Sequence, residues 1–514
     1  MGEEGGGRSC GTTRELQKLK QQAMEYYREN DVPRRLEELL NSTFYLQPAD
    51  VYGHLANCFS KLAKPPTICK VVGRNVLDGL GLPTLQVEIF CTIQNFPKNI
   101  CSVVISTHFE VHENALPEQA EAEEVERSEA VSTAVQWVNK TITEELRGIA
   151  PSNQAEVDQV LRTFFESKVQ EEKERRQLEK GLEDQTIAIP SPPPPPPPAR
   201  KKGQRQGRTD TLTEKPILPP EPVEPVLSGS MAIGAVSLAV AKTSAMLDNN
   251  PLYLNIALLK HPQEQPTKLT IPLLMVSLVS CGKSSPGKLN LMKEVICIPH
   301  PGLTAKQGVE MLLEIQKHIN KTIEMPPPPK TETKKGHNGN KRSQDSEQWD
   351  SIYNALGSRC YIIAGTTSKS ISKLLENGNI SIPKSSGLII KHTNQTTMSD
   401  LVQITNLLDS KKHIAVFGST EGESSDDSLV DLAIGLGVRF IKLGGLSRGE
   451  RVTKYNRLFT IEEELVQKGA LGFNEEHTFF SLHEEAEKAT MAGGPPELLE
   501  PIFPTEVMEG SAKA

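Results

Sequence analysis

Aromatic residues are scarce, at 5% of the chain against 37% hydrophobic in total, so any core must be built mainly from aliphatic side chains. Cysteine pairing is missing as well. The eight cysteines (Cys10, Cys58, Cys69, Cys91, Cys101, Cys281, Cys297 and Cys360) are scattered with no CxxC pair, which argues against a zinc ribbon and a secreted disulfide framework. A basic excess is lacking too: the formal net charge is -8, so no general field draws nucleic acid or anionic lipid. The one basic run, Arg200, Lys201, Lys202, Arg205 and Arg208, adjoins a proline tract and reads as solvated linker. No apolar run is long enough for a bilayer, because residues 231–247 include Lys242 and many small residues. The N-terminal MGEEGGGRSCGTT has no signal core. These absences predict a cytoplasmic protein with no membrane span and no nucleic-acid partner.

What is abundant is punctuation, with 37 prolines and 37 glycines, and it divides the 514 residues into segments. Residues 1–65 read as a helical extension, 66–165 as a small α+β domain and 166–228 as a charged, proline-rich disordered insertion that opens with a charged helical stretch, EEKERRQLEK. Residues 229–475 read as a larger α/β domain interrupted by a polar gap at 326–347, and 476–514 as a tail.

In the extension, Leu16, Leu19, Ala23 and Tyr26 recur at helical spacing. A second helix starts at Asp31 as N-cap with Pro33 in its first turn, and a third carries Val51, Leu55, Phe59 and Leu62 beyond a QPAD break. Such short amphipathic helices cannot bury their faces alone. The arrangement LEELL…QPAD…HLANCF resembles the dimerisation and docking helices of regulatory-subunit-like proteins. That resemblance implies an amphipathic anchoring-protein helix as partner, with cytoskeletal or flagellar anchoring. The competing reading is a helical extension packed on its own domain.

In the second segment, Leu85, Val87, Ile89 and Phe90, then Val103, Val104 and Ile105, predict paired strands, followed by helices over 131–143 and 157–165. Beyond residue 229, GSMAIGAVSLAVAKTSAML reads as a helix and 304–323 as another. Apolar runs at 271–279, 295–298, 360–364, 387–390, 413–417 and 439–442 read as strands. Strands alternating with helices predict parallel pairing, with a barrel as the natural closure, although the countable strands are fewer than a closed barrel requires.

The stretches GSMAIGAVSLAVAK…NNPLYLNIA and SLVDLAIGLGVRFIKLGGLSRGERVTKYNRLFTIEEEL resemble the enolase family, and the likeness runs discontinuously over residues 68–473. The resemblance implies an α/β protein: an enolase-like N-terminal α+β domain and a (β/α) TIM-type barrel. It also implies a homodimer, or a heterodimer with another enolase subunit. The implied activity is the phosphopyruvate hydratase reaction of glycolysis, a lyase step that converts 2-phospho-D-glycerate to phosphoenolpyruvate with Mg2+. There a lysine takes a carbon-bound proton, the metal stabilises the enediolate dianion, and a carboxylic acid protonates the leaving hydroxyl.

By that resemblance the proton acceptor is Lys391 in LIIKHTN, and Lys442 in FIKLGG and Glu294 in MKEVICIP contact substrate. Other matched positions depart from the family. Thr366 stands where a metal aspartate is expected, and a neutral hydroxyl is a poor sole replacement for an anionic Mg2+ ligand. The DSRGNPT loop reads DGLGLPT over 78–84, and the phosphate-binding SHRSGETED reads GSTEGESSD over 418–426, without its histidine and arginine. The general acid, two metal carboxylates and two barrel strands fall in the interval between the helix ending near Ile323 and Trp349, which here is only the polar gap. Two readings result: an enolase-type lyase acting through Lys391 and Lys442, or a non-catalytic enolase-fold scaffold docked through its N-terminal helices.

Overall fold

In a computed structural model of the chain, the described residues are 9–105, 117–186, 227–263, 266–280, 294–324, 363–365, 387–392, 395–418 and 424–473. The chain opens with α1 (Ser9–Glu29), α2 (Val32–Leu46) and α3 (Val51–Leu62). Asp50 caps α3, its carboxylate accepting the Gly53 N–H at 2.9 Å. Asp31 does not cap α2. The tight α1–α2 turn puts it at φ 54°, without a side-chain capping bond, and its carboxylate pairs instead with Arg34 and Arg35. The apolar faces of these helices stay open, with Leu16 68%, Phe44 71% and Tyr52 86% exposed. A hydrogen bond from Gln94 Nε2 to Ser60 Oγ (2.8 Å) ties α3 to the next domain.

That domain begins with an antiparallel meander of β1 (Thr67–Leu77), β2 (Pro83–Ile93) and β3 (Phe96–Val104). Gln94 and Asn95, both at positive φ (51° and 68°), make the two-residue turn between β2 and β3. The alternating Leu85, Val87 and Ile89 face α4 (Pro117–Trp137) and its continuation through a π turn (Val138–Ile142) into α5 (Thr143–Glu145). Strand β1 was not expected from the sequence, because Lys70, Arg74 and Asn75 break up its apolar pattern.

The helix α6 (Gln154–Thr186) corrects the expected boundary at 165/166. Residues 166–186 are not disordered linker but continue the helix, supported where side chains are described by ion pairs one turn apart: Lys168–Glu171, Arg175–Glu172, Arg176–Glu172 and Arg175–Glu179. The proline tract, the 326–347 gap and the tail lie outside the described residues.

The larger domain starts with α7 (Met231–Leu247) and α8 (Leu252–Lys260). Its sheet is built from β4 (Leu273–Ser280), β5 (Glu294–Cys297), β6 (Ile363–Gly365), β7 (Gly387–Ile390), β8 (Ile414–Gly418) and β9 (Phe440–Gly444). The described helices among these strands are α9 (Ala305–Glu324), α10 (Met398–Ser410), α11 (Ser428–Gly435) and α12 (Gly449–Gln467). Strand order is β5-β4-β9-β8-β7-β6. Pairing is parallel from β6 to β4, as expected, but β4 and β5 are antiparallel, so the expectation of uniform parallel pairing fails at this edge. No crossover helix is described between these two strands.

Helix α7 is buried on every side, because it lies between the first domain's sheet and the second domain's helices. Polar ties cross this seam: Asp158 Oδ1 accepts the Ser237 hydroxyl at 2.6 Å, and Asp158 Oδ2 accepts the Ser399 N–H at 2.9 Å. Among the described residues, no single helix is long and apolar enough to cross a membrane.

Candidate functional site

Alternation along the strands divides their side chains between two cores. Leu388, Ile390, Ala415, Phe417, Ile441 and Leu443 face the helices in the main core. On the opposite face Ile414, Val416 and Phe440 form a separate small core with Leu273, Met275 and Ile389. Lys442 follows Phe440 by two residues, so it belongs to this second face. Lys391 follows Ile389 in the same way, just past the end of β7. Both lysines therefore lie at the C-terminal ends of parallel strands, where barrel enzymes place their chemistry.

Gly418 lies between them. It pairs in register with Lys442. A Cβ built on it would come within 3.8 Å of Lys391 Cγ. The tighter neighbour of that Cβ is Ile389 Cγ2 at 3.2 Å, so a side chain here would crowd Ile389 and lie in ordinary contact with the Lys391 stem. The sequence pointed to each lysine; this spacer between them was not foreseen, its only signal being a glycine ending an otherwise apolar strand.

The residue after Lys391 anchors the site from behind. His392 is buried and hydrogen-bonded to the backbone of Gly234 and Thr396, while its Nε2 has no partner among the described residues. Burial pushes its pKa down to about 4, so it is neutral at pH 7. Nearby a cavity of about 30 Å³ is lined by His392, Gly418, Ser424, Asp426 and Lys454, with Val104 and Ile105 of the first domain. Ser424 donates its hydroxyl to the Val104 carbonyl at 2.8 Å, and the buried Lys454 Nζ donates to the Ser424 carbonyl at 2.9 Å. Lys242 Nζ approaches Asp426 at 3.5 Å. Desolvation opposes the Lys242 charge, yet its pKa is raised because Asp426 and neighbouring groups outweigh that penalty.

Less is described of the remaining expected site residues. Glu294 begins β5, next to β4 and one strand from Lys442, and its backbone placement is all that is described. Thr366 lies outside the described residues, as do 106–116 and 419–423. The 78–84 loop folds on itself: Asp78 Oδ1 accepts the Leu80 and Leu82 N–H groups at 2.8 and 2.9 Å. The donors fit Mg2+ poorly. Residues 387–392, 414–418 and 440–446 contain no aspartate or glutamate, and no group of three His, Cys, Asp or Glu suited to a metal occurs among the described residues. Among the described residues the site offers no ligand set for a divalent cation.

The chain matches the family model described as "Enolase, C-terminal TIM barrel domain" over residues 338–478, a span containing both lysines. It is 69% identical to Enolase 4 of Homo sapiens, covering 100% of this chain and 99% of that protein. It is 60% identical to Enolase 4 of Mus musculus, covering 100% of both. The similarity reaches Enolase 4 of Danio rerio at 32% identity over 90% of this chain and 93% of that one. The human alignment extends over 619 residues against the 514 of this chain, so that relative carries segments with no counterpart here. On full-length similarity to these relatives and the match to the barrel domain, the chain belongs to the enolase family.

Proposed function

We propose that the chain carries an enolase-type site that acts on 2-phospho-D-glycerate and forms phosphoenolpyruvate, with Lys391 as proton acceptor and Lys442 holding the substrate. The observation that supports this is the placement of both lysines on one face of the sheet, at strand C-termini, on either side of Gly418. Lys391 removes the proton on carbon 2, next to the substrate carboxylate, and Lys442 pairs with the negative charge that builds on that carboxylate; the electron pair then forms the C2–C3 double bond as the carbon-3 hydroxyl leaves and takes a proton from solvent to become water. Glu294, on the edge strand, is the third group proposed to contact substrate.

The described strand ends lack ligands for Mg2+. Each missing electrostatic partner of a developing charge costs on the order of 10² to 10³ in rate, so turnover is slow. The test is phosphoenolpyruvate formation by purified protein. Wild type should exceed the buffer blank and Lys391→Ala should fall to it; equal rates in the two would overturn the assignment.

A second reading, of a scaffold docked through α1–α3, is favoured by the exposed apolar faces of those helices. An amphipathic anchoring helix is the proposed partner, with cytoskeletal or flagellar anchoring as the outcome. Capture by such a helix should be lost in Leu36→Asp, and undiminished capture would count against docking. We further propose a cytoplasmic dimer, of two copies or with another enolase subunit.

A further inference from the structure

We infer that His54 and Cys58 on α3 form half of a zinc site, and that a second copy of this chain completes it with the same pair. The inference rests on neither the two lysines nor the anchoring helix.

The two residues stand about one turn apart on α3, at i and i+4, so both project from one face of the helix. Cys58 Sγ lies 3.6 Å from His54 Nε2. A tetrahedral Zn2+ with Zn–S of about 2.3 Å and Zn–N of about 2.05 Å holds its sulfur and nitrogen about 3.5 Å apart, so the donors already have that spacing. Both residues are half-buried, which leaves them partly open to solvent, and Cys58 is a free thiol. The turn that carries His54 is fixed by Asp50, whose carboxylate accepts the Gly53 N–H and whose carbonyl accepts the His54 N–H at 3.1 Å. The helix thus presents the pair in place, with little left to order on binding.

A structural zinc ion takes four protein ligands, two cysteines with two histidines being a common set. Among the described residues no third ligand groups with this pair. A two-fold axis beside α3 supplies the missing half, because such an interface brings the same patch from both copies. Charge favours the same completion. One thiolate on Zn2+ leaves a net positive charge, and a second thiolate cancels it. A neutral site can then be covered by apolar side chains without burying an uncompensated charge. Those side chains are at hand: Val51, Phe59 and Leu62 stand exposed on the same helix. Cys58 falls within the stripe, since Val51, Leu55, Cys58 and Leu62 recur at alternating four- and three-residue spacing. On binding, each thiol gives its proton to solvent and each neutral imidazole lends a lone pair, so two protons leave for every metal bound.

The test is titration of the reduced, metal-stripped full chain with Co2+, whose sulfur-to-metal absorption band reports thiolate ligation. Uptake should end at one metal per two chains, with two protons released for each, and Zn2+ should bleach the band. Because the readout is a stoichiometry, it decides the question whether or not the chain is already dimeric without metal. Cys58→Ser should abolish the band. His54→Gln should weaken binding by more than about tenfold, since even the groups that orient a metal ligand are worth that much. Cys69→Ser, a change to the half-buried thiol of β1, should alter neither band nor affinity. Circular dichroism of each variant establishes folding. A band that survives in Cys58→Ser, saturation at one metal per chain, or no band in the wild type would each overturn the inference.

Discussion

Helix α7 and helices α1–α3 show two uses of apolar helical sequence. In α7 small and aliphatic residues cover every side, and the helix is buried between two domains with Val236 and Ala239 at 0% exposure. In α1–α3 the apolar residues form stripes on charged helices, and Leu40, Phe44 and Tyr45 remain 58%, 71% and 86% exposed. The first pattern is completed inside the chain. The second leaves its apolar stripes exposed along α1–α3.

The sharpest way to break that contrast is a charge inside each region. Val236→Asp buries an unpaired carboxylate at the seam and should cost more than about 4 kcal/mol, so the domains should fail to fold cooperatively in denaturant titration. Arg457→Ala tests a buried ion pair of the larger domain, between α12 and α11. Arg457 grips the buried Asp431 through Nε at 2.9 Å and Nη2 at 2.7 Å, and burial already raises the Asp431 pKa. Removing the arginine strands that carboxylate, with an expected loss of roughly 3 to 5 kcal/mol.

The next effect in size is pH-dependent. His392 has its folded pKa depressed to about 4 from 6.5, so the folded state binds this proton more weakly than the unfolded chain does. Its contribution is fully present above pH 6.5 and is lost as pH falls toward 4, on the order of 3 kcal/mol in all. Urea titrations across that window should show the decline in wild type and a shallower one in His392→Gln. The smallest effect belongs to the extension: Leu40→Asp should change the stability of the two domains by less than about 0.5 kcal/mol, and a larger loss would mean that α2 packs on them.

The parts of the fold carried by strong periodicity were legible in the sequence. The runs at 387–390 and 413–417 became β7 and β8 almost unchanged, because each is a short apolar segment bounded by polar residues. Strand β1 was hidden by its charged positions, whereas the charged run EEKERRQLEK was legible as helix but not as a continuation of the helix before it. At the site, Lys391 and Lys442 were visible through the family resemblance. Their relation across Gly418 depends on register and on which strands are neighbours, which no local pattern encodes. The seam network of Asp158, Ser237 and Ser399 was invisible for the same reason, since its members are far apart in sequence.

The central claim, that the lysine pair is a working proton-transfer site, is tested most directly by following hydrogen exchange at carbon 2 of 2-phosphoglycerate in heavy water by NMR. This reads proton removal at the substrate without requiring the hydroxyl to leave. Wild-type protein is expected to wash out that proton faster than buffer, with Lys391→Ala reduced to the buffer rate and Lys442→Ala markedly slowed. Exchange that proceeds equally in wild type and Lys391→Ala would contradict the account.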